Sequence, residues 1–257
     1  MTLSDRVTAS GVIKAVLWSQ VFVGAFLVLA DLGPRIPALF SPSRAPAFDS
    51  PVAPGDQTRR YDPAAWPESP SAPTRPYERP VNMPSRLLFD VIEVDGAQVM
   101  TLLGQIKEGD AERFGQYLDD LATPPDRVAL NSPGGSVSDA LAIGERIRAE
   151  ELPTEVLDGD ICMSACPYIL AAGPTRRVSE GGAVGVHQHY YGENTLMPAF
   201  LAVKDIQRGQ GIVLDYLDRM GIDPLLMRHS LATPPEEIYV LLPEELTEYR
   251  LATEILP

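Results

Sequence analysis

Positive charge is scarce in this sequence: 21 Lys and Arg stand against 35 Asp and Glu, for a net charge of −14 at neutral pH. A chain with that balance has no basic face to neutralise phosphates, which excludes a nucleic-acid partner. Cysteine is nearly absent. The two that occur, Cys162 and Cys166, exclude a disulfide framework, and with only three histidines they leave no zinc-ligand set. Either they pair across a four-residue spacing of marginal geometry, or they are two small buried apolar residues. Long apolar runs are also lacking, with one exception. AVLWSQVFVGAFLVLA occupies Ala15 to Ala30, behind Arg6 and Lys14. Residues 11–30 are enough to cross roughly 30 Å of hydrocarbon, which predicts a transmembrane signal-anchor there after a short cytoplasmic N-terminus at 1–10. The small residue closing Val28-Leu29-Ala30 leaves a cleaved secretory signal as the alternative.

Proline is present but uneven. Of the 25 prolines, 13 fall between Pro34 and Pro84, among many Ser, Ala, Arg and Asp residues. That composition predicts a Pro-rich disordered linker over 31–84 and places the one sizeable core in 85–257.

Within 85–257 the hydrophobic period alternates between two and 3.6. SRLLFDVIEV and AQVMTLLGQI are strand-like runs separated by the turn signal Asp95-Gly96. Ala111, Phe114, Leu118 and Leu121 then share one helical face. The short strand VALN, Val128 to Asn131, ends in a glycine turn and a helical pattern to Glu150. Thr154 to Leu157 predicts a further strand, followed by the small-residue segment ICMSACPYILAAG and the short strands RRVSE and AVGVHQH. A helix is expected from about Pro198 to Met220, burying Phe200, Val203, Ile206, Val213, Leu214 and Leu217. Pro243 with acidic residues behind it predicts a last helix start. Strands alternating with helices make the fold class α/β.

Three segments could carry chemistry together: NSPGGS at Asn131 to Ser136, CMSACPYILAAG at Cys162 to Gly173, and GVHQH at Gly185 to His189. Gly134-Gly135 lets backbone N–H groups approach a ligand, although such a pair also serves as a plain turn. Ser164 stands where a helical run begins, a place suited to a nucleophile and equally to an N-cap. Serine needs an adjacent base, and His187, at the end of an apolar strand, is matched to that task at neutral pH. His189 and His229 are expected to be surface or core residues rather than catalytic ones.

In their order along the chain, these segments and VLLPEELTEYRLA resemble the Clp protease proteolytic subunit and its membrane-associated relatives in the ClpP/crotonase superfamily, over Leu87 to Leu251. The resemblance implies a ClpP/crotonase-like spiral of repeated β-β-α units and a serine peptidase acting through an acyl-enzyme. Ser164 would be the nucleophile, His187 the base, and the N–H groups of Gly135 and Ala165 the oxyanion hole. It implies no metal and no cofactor, a peptide or unfolded-protein substrate, and a homo-oligomer. Joined to the apolar run, it implies a single-pass protein of a bacterial inner membrane, its catalytic domain in the periplasm or outside the cell. The pattern breaks at the third triad position. The family's aspartate falls near Thr233-Pro234-Pro235, where this chain has no carboxylate. Glu236, Glu237 and Asp223 are the nearest acids, and Lys204 is a candidate alternative base or an exposed helix residue. A catalytically impaired scaffold that binds a protein partner or peptide is the second expectation. An acyl-CoA enzyme of the crotonase kind fits an exported serine-histidine pair poorly.

Overall fold

A computed structural model describes residues 9–32, 57–63, 82–189 and 199–257. The chain divides into two units, Met1–Arg44 and Ala45–Pro257. In the first, the described residues form one helix, α1 (Ala9–Leu32). Among the described residues no helix is long and apolar enough to cross a membrane. Lys14 stands ahead of the apolar run of α1, and Ser19-Gln20 lie within it. The transmembrane assignment of 11–30 is thereby overturned, and the single-pass inner-membrane placement that rested on it goes too.

The second unit is mixed α/β, with two sheets. The larger runs in the order β10-β7-β5-β4-β3-β2, formed by Glu254–Leu256, Arg176–Ser179, Thr154–Val156, Arg127–Asn131, Ala97–Leu103 and Leu88–Val94. β2 and β3 form an antiparallel hairpin in the register Val94↔Ala97; its two turn residues, Asp95 and Gly96, have φ of 51° and 80°. Such φ values match the right-handed twist of the flanking strands, as the Asp-Gly signal predicts. The other strands of this sheet pair in parallel. Helices therefore make the connections. α2 (Asp110–Asp119) buries Phe114 and Leu118, and α3 (Val137–Ala149) buries Ala140, Ile143 and Ile147. α4 (Cys166–Ala172) is buried on every side, so it has no amphipathic stripe to reveal it in sequence.

Among the described side chains of α5 (Ala199–Arg219) the buried residues are Val213, Tyr216 and Leu217, whereas Val203, expected in the core, is 51% exposed. The side chain of Phe200 lies outside the described residues. Tyr216 reaches its place because α3 offers Gly144: any Cβ there would run into the Tyr216 hydroxyl, which donates to Tyr168 O at 2.7 Å. α6 (Met227–Ala232) and α7 (Pro243–Glu248) follow. Glu245, in the first turn of α7, accepts from Leu242 N at 2.9 Å.

The smaller sheet positions the site. Its order is β1-β9-β8-β6, formed by Thr58–Arg60, Glu237–Val240, Ala183–Val186 and Ile161–Met163. β1 corrects the linker reading of 31–84: Thr58–Arg60 is an ordered strand, antiparallel to β9 in the register Thr58↔Tyr239. The two sheets are stitched where β4 ends. Ser132 N donates to Ile161 O at 2.7 Å and Met163 N to Ser132 O at 3.0 Å, while the buried Asn131 amide donates to Asp160 at 2.5 Å. A small second core of Met83, Ile161, Met163, Ile238 and Val240 underlies this sheet.

Candidate active site

β6 delivers Ser164 to a sharp turn ahead of α4. Its φ is 62°, a left-handed conformation that is uncommon for a non-glycine residue. Ser164 N donates to Gly185 O at 2.9 Å, and every residue from Ile161 to Gly173 is buried except Ser164 itself. The hydroxyl is thus the one group of this segment lifted out of the core, the geometry of a nucleophile elbow. A disulfide joins Cys162 to Cys166 across the elbow, with Cα atoms 5.0 Å apart. Replacing both cysteines by alanine is expected to lower stability by about 2 kcal/mol, read as a shift in denaturant midpoint.

β8 leads to His187. His187 is 5% exposed, and Ser164 Oγ donates to its Nε2 at 2.7 Å. On the other side of the ring, Nδ1–H donates to two main-chain carbonyls, Glu237 O at 2.9 Å and Pro235 O at 3.0 Å. Carbonyls can only accept, so the proton sits on Nδ1 and the Nε2 lone pair faces the serine. Burial holds the imidazole below its ordinary pKa, against the opposing effect of the two carbonyls. The stretch Thr233 to Pro235, where no carboxylate stands, serves the histidine through its backbone. Thr233 O accepts from Gln188 N at 2.9 Å, and Ser230 Oγ donates to His187 O at 2.6 Å.

The acids named as third members play other parts. Among the described residues no carboxylate bonds the His187 ring. Asp223 accepts from Leu225 N at 2.9 Å, Glu237 contributes only its main chain, and Glu236 gives its carbonyl to Tyr61 N at 2.9 Å. Lys204 is exposed on α5 and is absent from the cavity wall.

Ser164 and His187 open onto a cavity of about 590 Å³, also walled by Gly134, Gly135, His189 and Tyr61. Gly134 has φ 94°, and a Cβ there would strike Met163 O and come within 2.6 Å of Ser164 Cβ and 2.8 Å of Ala165 N. Only glycine lets the turn lie against the elbow. Gly134 N is taken by Ser132 Oγ at 3.1 Å. The amides of Gly135 and Ala165 make no hydrogen bond within the described chain, so both remain available beside Ser164. No protein-family model matches the chain, and no curated protein is significantly similar to it. Among the described residues no cluster of acids, histidines and cysteines could hold a metal ion.

Of the other two histidines, His189 lies on the cavity wall with Tyr168 Oη at 2.7 Å, pushed down to about 4 by burial and by the nearby His187. His229 stacks on Tyr239 with ring centroids 4.3 Å apart. Sequence reasoning missed Tyr61, whose ring stands edge-on to His187 at 4.6 Å. The signal available was slight: a proline-free run between Pro54 and Pro63 within an otherwise proline-rich stretch.

Proposed function

We propose that this chain is a serine peptidase of the ClpP/crotonase type, built on that spiral of β-β-α units, which cleaves peptides or unfolded segments through an acyl-enzyme. The observation that carries the reading is the 2.7 Å contact between Ser164 and a histidine whose tautomer is set by two carbonyls. Ser164 Oγ attacks the peptide carbonyl carbon while its proton passes to His187 Nε2. The oxyanion is held by the N–H groups of Gly135 and Ala165. Collapse expels the amine, which takes the proton from Nε2. Water, deprotonated by the same nitrogen, then releases the acyl group and regenerates Ser164. In a Ser-His-Asp triad the acid fixes the tautomer and stabilises the imidazolium. Here the carbonyls of Pro235 and Glu237 supply the first function fully and the second only as dipoles. A homo-oligomer is part of the same proposal, as an assembly that would enclose the cavity.

A fluorophosphonate probe on the purified chain tests the assignment. Labelling of the native protein that disappears in Ser164→Ala is expected, and labelling that persists in that variant would sink it. Lys204→Ala is expected to label normally, whereas a Ser-Lys dyad would lose all reactivity. The missing carboxylate favours one second reading, a scaffold whose cleft binds a peptide without cutting it, and a folded native chain that takes no label would support that instead. The pH profile has a defined sign. The base works unprotonated, so reactivity is present above the folded-state pKa of His187 and lost as pH falls through it. Because burial lowers that pKa, the acid limb of the labelling rate should lie below about 6.5.

A further inference from the structure

The strand that completes the active-site sheet comes from the chain's proline-rich stretch, and it is pinned at both ends. At one end Val240 N donates to Gln57 O at 2.9 Å, and the Gln57 amide reaches Glu245 at 2.9 Å and the Tyr239 hydroxyl at 2.5 Å. At the other end stands Tyr61, which touches the segment behind His187, the His187 ring and the approach to the glycine turn. Its N–H donates to Glu236 O at 2.9 Å, the carbonyl lying between the two that hold His187 Nδ1. Its ring meets the imidazole edge-on, centroids 4.6 Å apart and planes at 67°. Its hydroxyl donates to Pro133 O, at the entrance to the Gly134-Gly135 turn.

We infer that Tyr61 is a positioning residue: through its backbone, ring and hydroxyl it locks the carbonyls of Pro235 and Glu237, the His187 ring and the glycine turn into one working geometry. The inference rests on the proposed Ser164–His187 chemistry. The physical need for it follows from the absent carboxylate. A charged acid would hold an imidazolium by strong, charge-assisted bonds, whereas two neutral carbonyls hold it weakly and depend on the segment that bears them being rigid. β9 would otherwise be an edge strand, free to shift by fractions of an ångström, and a misplacement of about 1 Å can cost roughly a hundredfold in rate. β1 removes that edge, and the Tyr61 ring closes one face of the imidazole against water. Burial keeps the phenol well above its ordinary pKa, so it stays a neutral donor to Pro133 O throughout the working range.

The test uses the full chain and reads two quantities: the titration of His187 by NMR and the rate of fluorophosphonate labelling at a pH where the imidazole is neutral. Tyr61→Ala is expected to raise the His187 pKa toward its ordinary value, because the ring that desolvates it is gone, and to slow labelling by at least roughly tenfold. Tyr61→Phe keeps the ring and is expected to leave the titration in place, with labelling slowed by less than in Tyr61→Ala. Should the alanine variant unfold, Tyr61→Leu, which keeps bulk without the aromatic edge, is expected to show the same two changes in milder form. An unchanged titration with unchanged labelling would reduce Tyr61 to a surface contact and overturn the inference. Faster labelling would also overturn it, making β1 a plug over the site. If the native chain takes no label, the peptidase reading fails separately; the titration of His187 then still decides whether Tyr61 positions the ring.

Discussion

On the proposed peptidase mechanism, replacing either Ser164 or His187 by alanine is expected to lower kcat for peptide hydrolysis by roughly 10⁴- to 10⁶-fold, and replacing both is expected to cost no more than replacing one. The size follows from what each supplies. Without Oγ there is no acyl-enzyme, and without Nε2 at 2.7 Å the hydroxyl keeps its proton at neutral pH and is a poor nucleophile. The non-additivity follows because neither group does anything in this reaction alone. Residual hydrolysis in the double variant would come from the oxyanion amides of Gly135 and Ala165. Single-turnover kinetics on the three variants checks this. Two losses that multiply in the double variant would mean that serine and histidine do not act as a unit.

Gly134→Ala should have the next largest effect, through geometry rather than chemistry. The added methyl would collide with Met163 O and crowd Ser164 Cβ and Ala165 N, in a residue whose φ of 94° an alanine tolerates poorly. Backbone must move, and the parts that can move are the elbow and the glycine turn, the two that flank the oxyanion position. Loss of a single oxyanion donor costs roughly 10²- to 10³-fold in rate, and on the proposed mechanism a displaced turn would carry Gly135 N out of reach of the oxyanion. The strain itself costs about 1 to 3 kcal/mol. Labelling rate and denaturant midpoint measured on the same sample separate the two effects. A variant with native reactivity would show that the close packing of turn on elbow has no part in the chemistry.

Much of the larger sheet was legible because its signals are local. The Asp95-Gly96 turn needs only two residues able to take positive φ, and the helical face of Phe114 and Leu118 needs only its spacing. The alternation of short strands and helices likewise carries the α/β class. Ser164 and His187 could be singled out as a pair because serine without a base is inert. Their meeting, however, required β6 and β8 to lie parallel side by side, and that pairing is written nowhere in either segment.

Other features were invisible for a physical reason that differs in each case. β1 is three residues long, and what orders it is pairing with β9, far along the chain, so composition alone marked it as linker. The acceptors on His187 Nδ1 are main-chain carbonyls, a group that every residue carries. From Thr233 to Pro235 the chain offers the ring no carboxylate but a main-chain carbonyl, Pro235 O. The apolar run at 11–30 misled in the opposite direction. Hydropathy and length suggested a membrane span, yet no described helix qualifies as one.

By itself, then, the sequence determined the acidic surface, the α/β alternation and the serine and histidine worth testing, because charge, periodicity and residue chemistry are properties of single segments. Only the tertiary structure decided what stands behind the histidine and what covers it. Those are matters of which backbone lies next to which, and backbone is common to all residues.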